Sequence, residues 1–146
     1  MGSEMCIRDR AQVAESVPWR PGAVELLASL KEAGVPCGLV TMSYQRFVAP
    51  IVAALPPETF RVIVTGDQVS RGKPHPEAYL TAAGALGLAP EECVAIEDSN
   101  TGATSAEAAG CPVLVVENHV DVAPSPRRTF AASLAAVTVE SLAELG

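Results

Sequence analysis

The chain has 146 residues, 49% of them hydrophobic and only 4% aromatic, which fits one globular domain with an aliphatic core. Its formal net charge of −7, without any basic stripe, excludes a binder of phosphate backbones, because nucleic-acid association relies on clustered Lys and Arg. No apolar run approaches the roughly twenty residues needed to span a bilayer, and an N-terminus carrying Glu4 and Asp9 does not read as a signal peptide. Neither nucleic acid nor membrane is expected as a partner.

The first ten residues, MGSEMCIRDR, have no periodicity, cap or turn logic linking them to the rest of the chain. They resemble a translated sequencing-adapter read and are expected to form a non-native or disordered leader, leaving the domain proper over residues 11–146. Asp9 lacks a preceding apolar strand and a following Gly-Thr, so it is expected to be a solvated charge. The segment RPGAVELLASLKEAG then places Pro21 where a first helical turn tolerates it, Leu26, Leu27 and Leu30 on one face, and Gly34 at the stop. Short apolar runs come next, at residues 37–41, 61–66, 93–98 and 112–117. Runs without alternation, rich in Val and Ile, read as parallel strands buried on both faces. Helices are expected between and after them, over residues 45–55, 76–86, 101–109 and 139–145. This alternation predicts an α/β fold, a Rossmann-like three-layer α/β/α sandwich around a mostly parallel sheet.

Cys6, Cys37, Cys93 and Cys111 include no CxxC pair, and the last three lie at strand starts, where a small apolar thiol packs well. They read as reduced structural thiols, consistent with a cytoplasmic location. The two histidines, His75 and His119, read as loop residues, since zinc-ligand spacing is missing.

Ligands of such sheets bind outside the carboxyl ends of the strands, where Thr41, Gly66, Asp67, Glu97 and Asp98 are expected. Thr41 and Ser43 could simply cap the next helix. Lys73 would ordinarily be a solvated loop cation, yet Gly72 before it and Pro74 and Pro76 after it shape and stiffen its backbone. A stiffened cation at a helix N-terminus suits a dianionic phosphate. Glu97 and Asp98 are adjacent acids after Val94-Ala95-Ile96, and two close carboxylates repel unless a cation lies between them. Hard oxygen ligands point to Mg²⁺. The alternative, that the acids only bias the following helix N-terminus, is weakened because Ser99 or Asn100 already supplies a cap.

Together, VTMS at residues 40–43, GKPHPEAYL at 72–80 and CVAIEDSNTG at 93–102 resemble three of the four signature motifs of the haloacid dehalogenase superfamily. The resemblance runs from about residue 17 to the C-terminus, in the form seen among phosphoglycolate phosphatase-like and β-phosphoglucomutase-like members. It implies that the Thr41 hydroxyl and the Met42 backbone N–H hold a phosphoryl oxygen, with the Met42 side chain a packing filler. It further implies that Lys73 neutralises nucleophile and phosphate, and that Asp98, with Glu97 second, binds Mg²⁺. Both acids are present, which speaks against the metal-free dehalogenase branch.

The fourth motif, a strand ending in DxDGT that supplies an attacking and a protonating aspartate, is absent from the sequence. The central first strand and the helical cap that comes after it in the family are therefore expected to be missing, with residues 11–17 a remnant of the return path from the cap. The implied function is a Mg²⁺-dependent phosphatase acting on a small phosphorylated metabolite, truncated at its N-terminus and inactive as this fragment. A β-phosphoglucomutase-like sugar-phosphate mutase and a non-catalytic phosphate-binding or interaction module are the alternatives.

Overall fold

A computed structural model describes residues 4–7, 22–116 and 122–145. Among the described residues, six parallel strands form one sheet: β1 (Glu4–Ile7), β2 (Cys37–Val40), β3 (Val62–Val64), β4 (Cys93–Glu97), β5 (Val113–Val116) and β6 (Arg128–Ala131). Their order across the sheet is β3-β2-β1-β4-β5-β6. The expected α/β sandwich is therefore present, with two departures from expectation.

The first is a correction. Glu4–Ile7, assigned above to a non-native or disordered leader, is ordered and fills the central place of the sheet between β2 and β4. Met5, Cys6 and Ile7 pair with Cys37, Gly38 and Leu39 on one side and with Val94, Ala95 and Ile96 on the other. The physical reason is the ladder itself. Two buried parallel strands leave rows of backbone N–H and C=O groups that any short apolar segment can satisfy, whatever its flanks. The central place of the sheet is thus filled, where a missing strand was expected. Asp9 and the expected cap remnant at 11–17 lie outside the described residues. The second departure is β6, unforeseen because RTFA is short and partly exposed.

Helices cover both faces. On one lie α1 (Ala23–Glu32), α2 (Gln45–Ala53) and α5 (Val139–Ala143); on the other lie α3 (Glu77–Leu86) and α4 (Asn100–Ala109). Helix α1 buries Ala23, Leu26, Leu27 and Leu30 against Cys37, Val94, Ile96 and Leu114, and ends at Ala33 before Gly34, whose φ of +76° makes glycine the fitting residue after the stop. Helix α2 ends at Ala53, slightly short of expectation, and carries Pro50 inside it. The opposite face is built from small residues. Ala78, Ala82 and Ala83 of α3 and Ala103, Ala106 and Ala109 of α4 pack on Val40, Val64, Cys93, Ala95 and Val113. Short side chains bring these two helices close to the sheet, and α3 and α4 begin at its carboxyl edge.

Strand alternation decides what lies beneath them. Successive side chains point to opposite faces, so Val94 and Ile96 face α1 while Cys93, Ala95 and Glu97 face α3 and α4. No helix among the described residues is long and apolar enough to cross a membrane.

Candidate active site

The carboxyl end of β4 places Glu97 beneath the alanine-rich helices, where it is only 1% exposed. Lys73, from the loop before α3, meets it: Lys73 Nζ lies 2.6 Å from Glu97 Oε2, with both side chains fully buried. Lys73 Nζ also donates to the Val40 carbonyl at 3.2 Å, and Tyr79 OH of α3 donates to Glu97 Oε2. The Tyr79 ring lies under the ammonium, 4.9 Å from Nζ to its centroid. Lys73 is not the solvated loop cation that its residue type alone would suggest.

Topology gives this pair its meaning. Val40 ends β2 and Glu97 ends β4, the two strands that flank β1. Each stands one residue beyond the partner of Ile7, since Ile7 is level with Leu39 and with Ile96. The ammonium therefore bridges the two strand ends on either side of the carboxyl end of β1. A charge-assisted pair buried in this way is short, strong and fixed in place.

Thr41 and Met42 come directly after Val40, and Asp98 directly after Glu97. Thr41 is fully buried, its N–H bonded to the Val64 carbonyl at 2.9 Å, and its Oγ1 accepts from the N–H of Ser43 at 3.2 Å. The capping alternative for Thr41 and Ser43 is corrected here. The N-cap of α2 is Tyr44, without a side-chain cap bond, and the Thr41 hydroxyl stays in its own turn. Met42 packs against the small-residue core, and its sulfur accepts from the Lys73 N–H at 3.4 Å, so its side chain is a filler that ties two site loops together. Gly72 leaves room for that sulfur, since a Cβ there would stand 2.9 Å from it, and the Met42 backbone lies against Gly66. A Cβ at Gly66 would stand 2.2 Å from the Met42 carbonyl oxygen. Asp98, 6% exposed, comes directly after Glu97. Ser99 then caps α4 by accepting from the Gly102 N–H at 3.1 Å, as its sequence position suggests.

Asp67 lies in the short 3-10 turn that follows β3 and serves as a fastener. Its Oδ1 accepts from Thr65 Oγ1 at 2.6 Å and from the Gln45 N–H at 3.2 Å, and the Thr65 hydroxyl holds its carboxyl below the ordinary aspartate range. His75 is a loop residue, as expected; Nδ1 accepts from the Glu77 N–H, and the carbonyl accepts from the buried Ser105 hydroxyl at 2.7 Å. His119 lies outside the described residues.

Four contributors are not evident from the sequence. Tyr79 reads as one more apolar helix position, and Ser105 as a small helix residue. Glu77 clamps the loop that carries Lys73, accepting from the N–H groups of Ser70 and Arg71 at 2.8 and 3.0 Å. Gly102 sits in the first turn of α4 with its Cα against the Glu97 carboxylate. The one available signal is spacing: Glu77 falls one residue after Pro76, at the helix start where an acid is favoured.

Known proteins resemble this chain in sequence and in fold. The model of the haloacid dehalogenase-like hydrolases matches residues 6–110. The chain belongs to this hydrolase family. Hexitol phosphatase A of Escherichia coli K12 is 44% identical over 114 residues, covering 76% of this chain and 51% of that protein. Phosphoglycolate phosphatase of the same organism is 40% identical over 93 residues, covering 63% of this chain and 37% of that protein. Among solved structures, CbbY of Rhodobacter sphaeroides in complex with xylulose-(1,5)-bisphosphate superimposes with a TM-score of 0.76 at 30% identity, covering 90% of this chain and 62% of that one. The chain thus spans about half or less of the length of these two curated relatives.

Proposed function

We propose that the chain carries the phosphate-binding and Mg²⁺-binding part of a phosphatase site for a small phosphorylated metabolite. The observation that carries this reading is the Lys73 ammonium, fixed between the Val40 carbonyl and Glu97 beside the carboxyl end of β1. A phosphate dianion arriving there would meet a fixed cation, the Thr41 hydroxyl and the Met42 backbone N–H. Preorganised donors of this kind stabilise negative charge as it develops on phosphoryl oxygens.

Asp98 would hold Mg²⁺, with Glu97 assisting. The donor set fits the ion: carboxylate oxygens are hard ligands, and Mg²⁺ is commonly bound through one or two carboxylates plus a substrate phosphate while it keeps several waters. Among the described residues no group of three or more His, Cys, Asp and Glu converges, so the protein would supply few ligands and the phosphate the rest. When bound, the ion would offset charge on the phosphoryl oxygens. The names of the two curated phosphatases, and the sugar bisphosphate held by CbbY, support a phosphorylated small molecule as the substrate of the whole protein.

The resemblance assigns the nucleophile to DxDGT at the end of the first strand. Here β1 is followed in the sequence by Arg8, Asp9 and Arg10. We therefore expect this chain to bind phosphate without turning over phosphate esters. A sugar-phosphate mutase is the second reading, favoured by a provisionally named β-phosphoglucomutase of Thermotoga maritima that superimposes with a TM-score of 0.71 at 29% identity.

Titration of the purified chain with inorganic phosphate, followed by calorimetry, tests the proposal. Saturable binding that weakens about tenfold or more in Lys73→Met is the expected result, given the strength of charge-assisted bonds. Equal affinity in the wild type and in a folded Lys73→Met would overturn it.

A further inference from the structure

Tyr79 is placed to do more than fill the core. It is fully buried on α3, its hydroxyl donates to the same Oε2 of Glu97 that receives Lys73 Nζ, and its ring face lies 4.9 Å from that ammonium. One side chain thus contacts both members of a buried ion pair, one through its hydroxyl and the other through its ring. A phenylalanine would keep the ring and its packing; only the hydroxyl reaches Glu97. We propose that Tyr79 is a positioning residue for Lys73, its hydroxyl fixing the Glu97 carboxylate so that the ammonium stays bridged between the ends of β2 and β4.

The chemistry comes from the geometry of Oε2. A carboxylate oxygen that takes two donors is held in direction as well as in charge, whereas one bound only to a flexible lysine can turn with it. Among the described contacts, the Gly102 backbone restricts Oε1, while Glu77, Ser105 and Met42 restrain the loop backbone around Lys73. The Tyr79 hydroxyl reaches Oε2 from the first turn of a helix, as a neutral donor. The consequence for phosphate binding rests on the phosphatase reading, but the positioning itself does not.

The test is a lysine-ammonium ¹⁵N–¹H spectrum of the full chain. Buried and hydrogen-bonded, the Lys73 Nζ–H group should give a slowly exchanging cross-peak, assigned by its loss in Lys73→Met. In Tyr79→Phe its hydrogen exchange should accelerate about tenfold, the effect of losing one bond to a charged group. In Val48→Ala, a cavity in the core away from the site, it should stay as in the wild type. Unchanged exchange in Tyr79→Phe would overturn the proposal, as would equal acceleration in Val48→Ala, which would mark a general loss of rigidity. Inorganic phosphate affinity, measured on the same proteins, separates the two readings. Loss of affinity in Lys73→Met together with a smaller loss in Tyr79→Phe supports both. Phosphate binding indifferent to Lys73 would sink the phosphatase reading and leave the exchange result to decide on Tyr79.

Discussion

Gly102 and Glu97 are in direct apposition: a Cβ at Gly102 would lie 1.8 Å from Glu97 Oε1 and 2.2 Å from its Cδ. The first turn of α4 thus fixes how far the carboxylate can withdraw from Lys73. Gly102→Ala must push either the helix or the carboxylate aside. Overpacking of this kind costs about 1–3 kcal/mol. The expected outcome is a lower thermal midpoint together with weakened phosphate binding, read by calorimetry, whereas Gly84→Ala, where a Cβ meets nothing within 4 Å, should leave phosphate binding unchanged and stability equal or slightly higher.

The loop bearing Lys73 should loosen in acid. The N–H of Ser70, joined by that of Arg71, holds the Glu77 carboxyl below its ordinary value of 4.5 despite some desolvation. A depressed folded value means that the clamp contributes its stability above the unfolded value and loses it as pH falls through the folded one. Amide exchange of Ser70 and Arg71, corrected for intrinsic rates, should therefore rise only below about pH 4.5. In Glu77→Gln it should be raised at neutral pH and lack that step.

The buried cysteines should be inert. Burial, with Cys93 nearby, pushes the Cys111 thiol up to about 12, so almost no thiolate exists at neutral pH. Native protein should show no labelling of Cys93 or Cys111 by iodoacetamide over hours, and full labelling once unfolded. Cys93→Ser should lower stability by about 1–2 kcal/mol by burying a hydroxyl, and leave phosphate binding alone.

We expect the chain not to hydrolyse p-nitrophenyl phosphate or sugar phosphates through an aspartyl phosphate, because its sequence holds no DxDGT and that route needs an attacking aspartate, whatever Lys73 and Thr41 bind. Turnover above background that disappears in Asp9→Asn would show that the residues after β1 supply a nucleophile after all.

Much of this is legible in the sequence. The buried strands ending at Val40 and Glu97 announce themselves as unbroken apolar runs, and the lysine and acids beside them carry their chemistry in their order. The parts that are not legible have physical reasons. A four-residue strand that starts at Glu4 and runs into Arg8 has too few positions to show a period, and β1 is defined by the two neighbours that need its backbone groups. The role of Tyr79 depends on alternation along β4, which turns Glu97 toward α3, and on the alanines that let α3 lie close. Neither relation exists along the chain. Gly102 likewise looks like an ordinary glycine until α4 is laid on the sheet.

The central claim is that Lys73 and Asp98 belong to one site that takes phosphate and Mg²⁺ together. Mg²⁺ titrations of the chain with and without saturating phosphate, followed by calorimetry, test it most directly. Linkage requires each ligand to raise the affinity for the other by the same factor. We predict weak Mg²⁺ binding alone, about tenfold or greater tightening with phosphate as it supplies missing oxygen ligands, and no tightening in Asp98→Asn. Mg²⁺ affinity that ignores phosphate in the wild type, or coupling that survives Asp98→Asn, would contradict it.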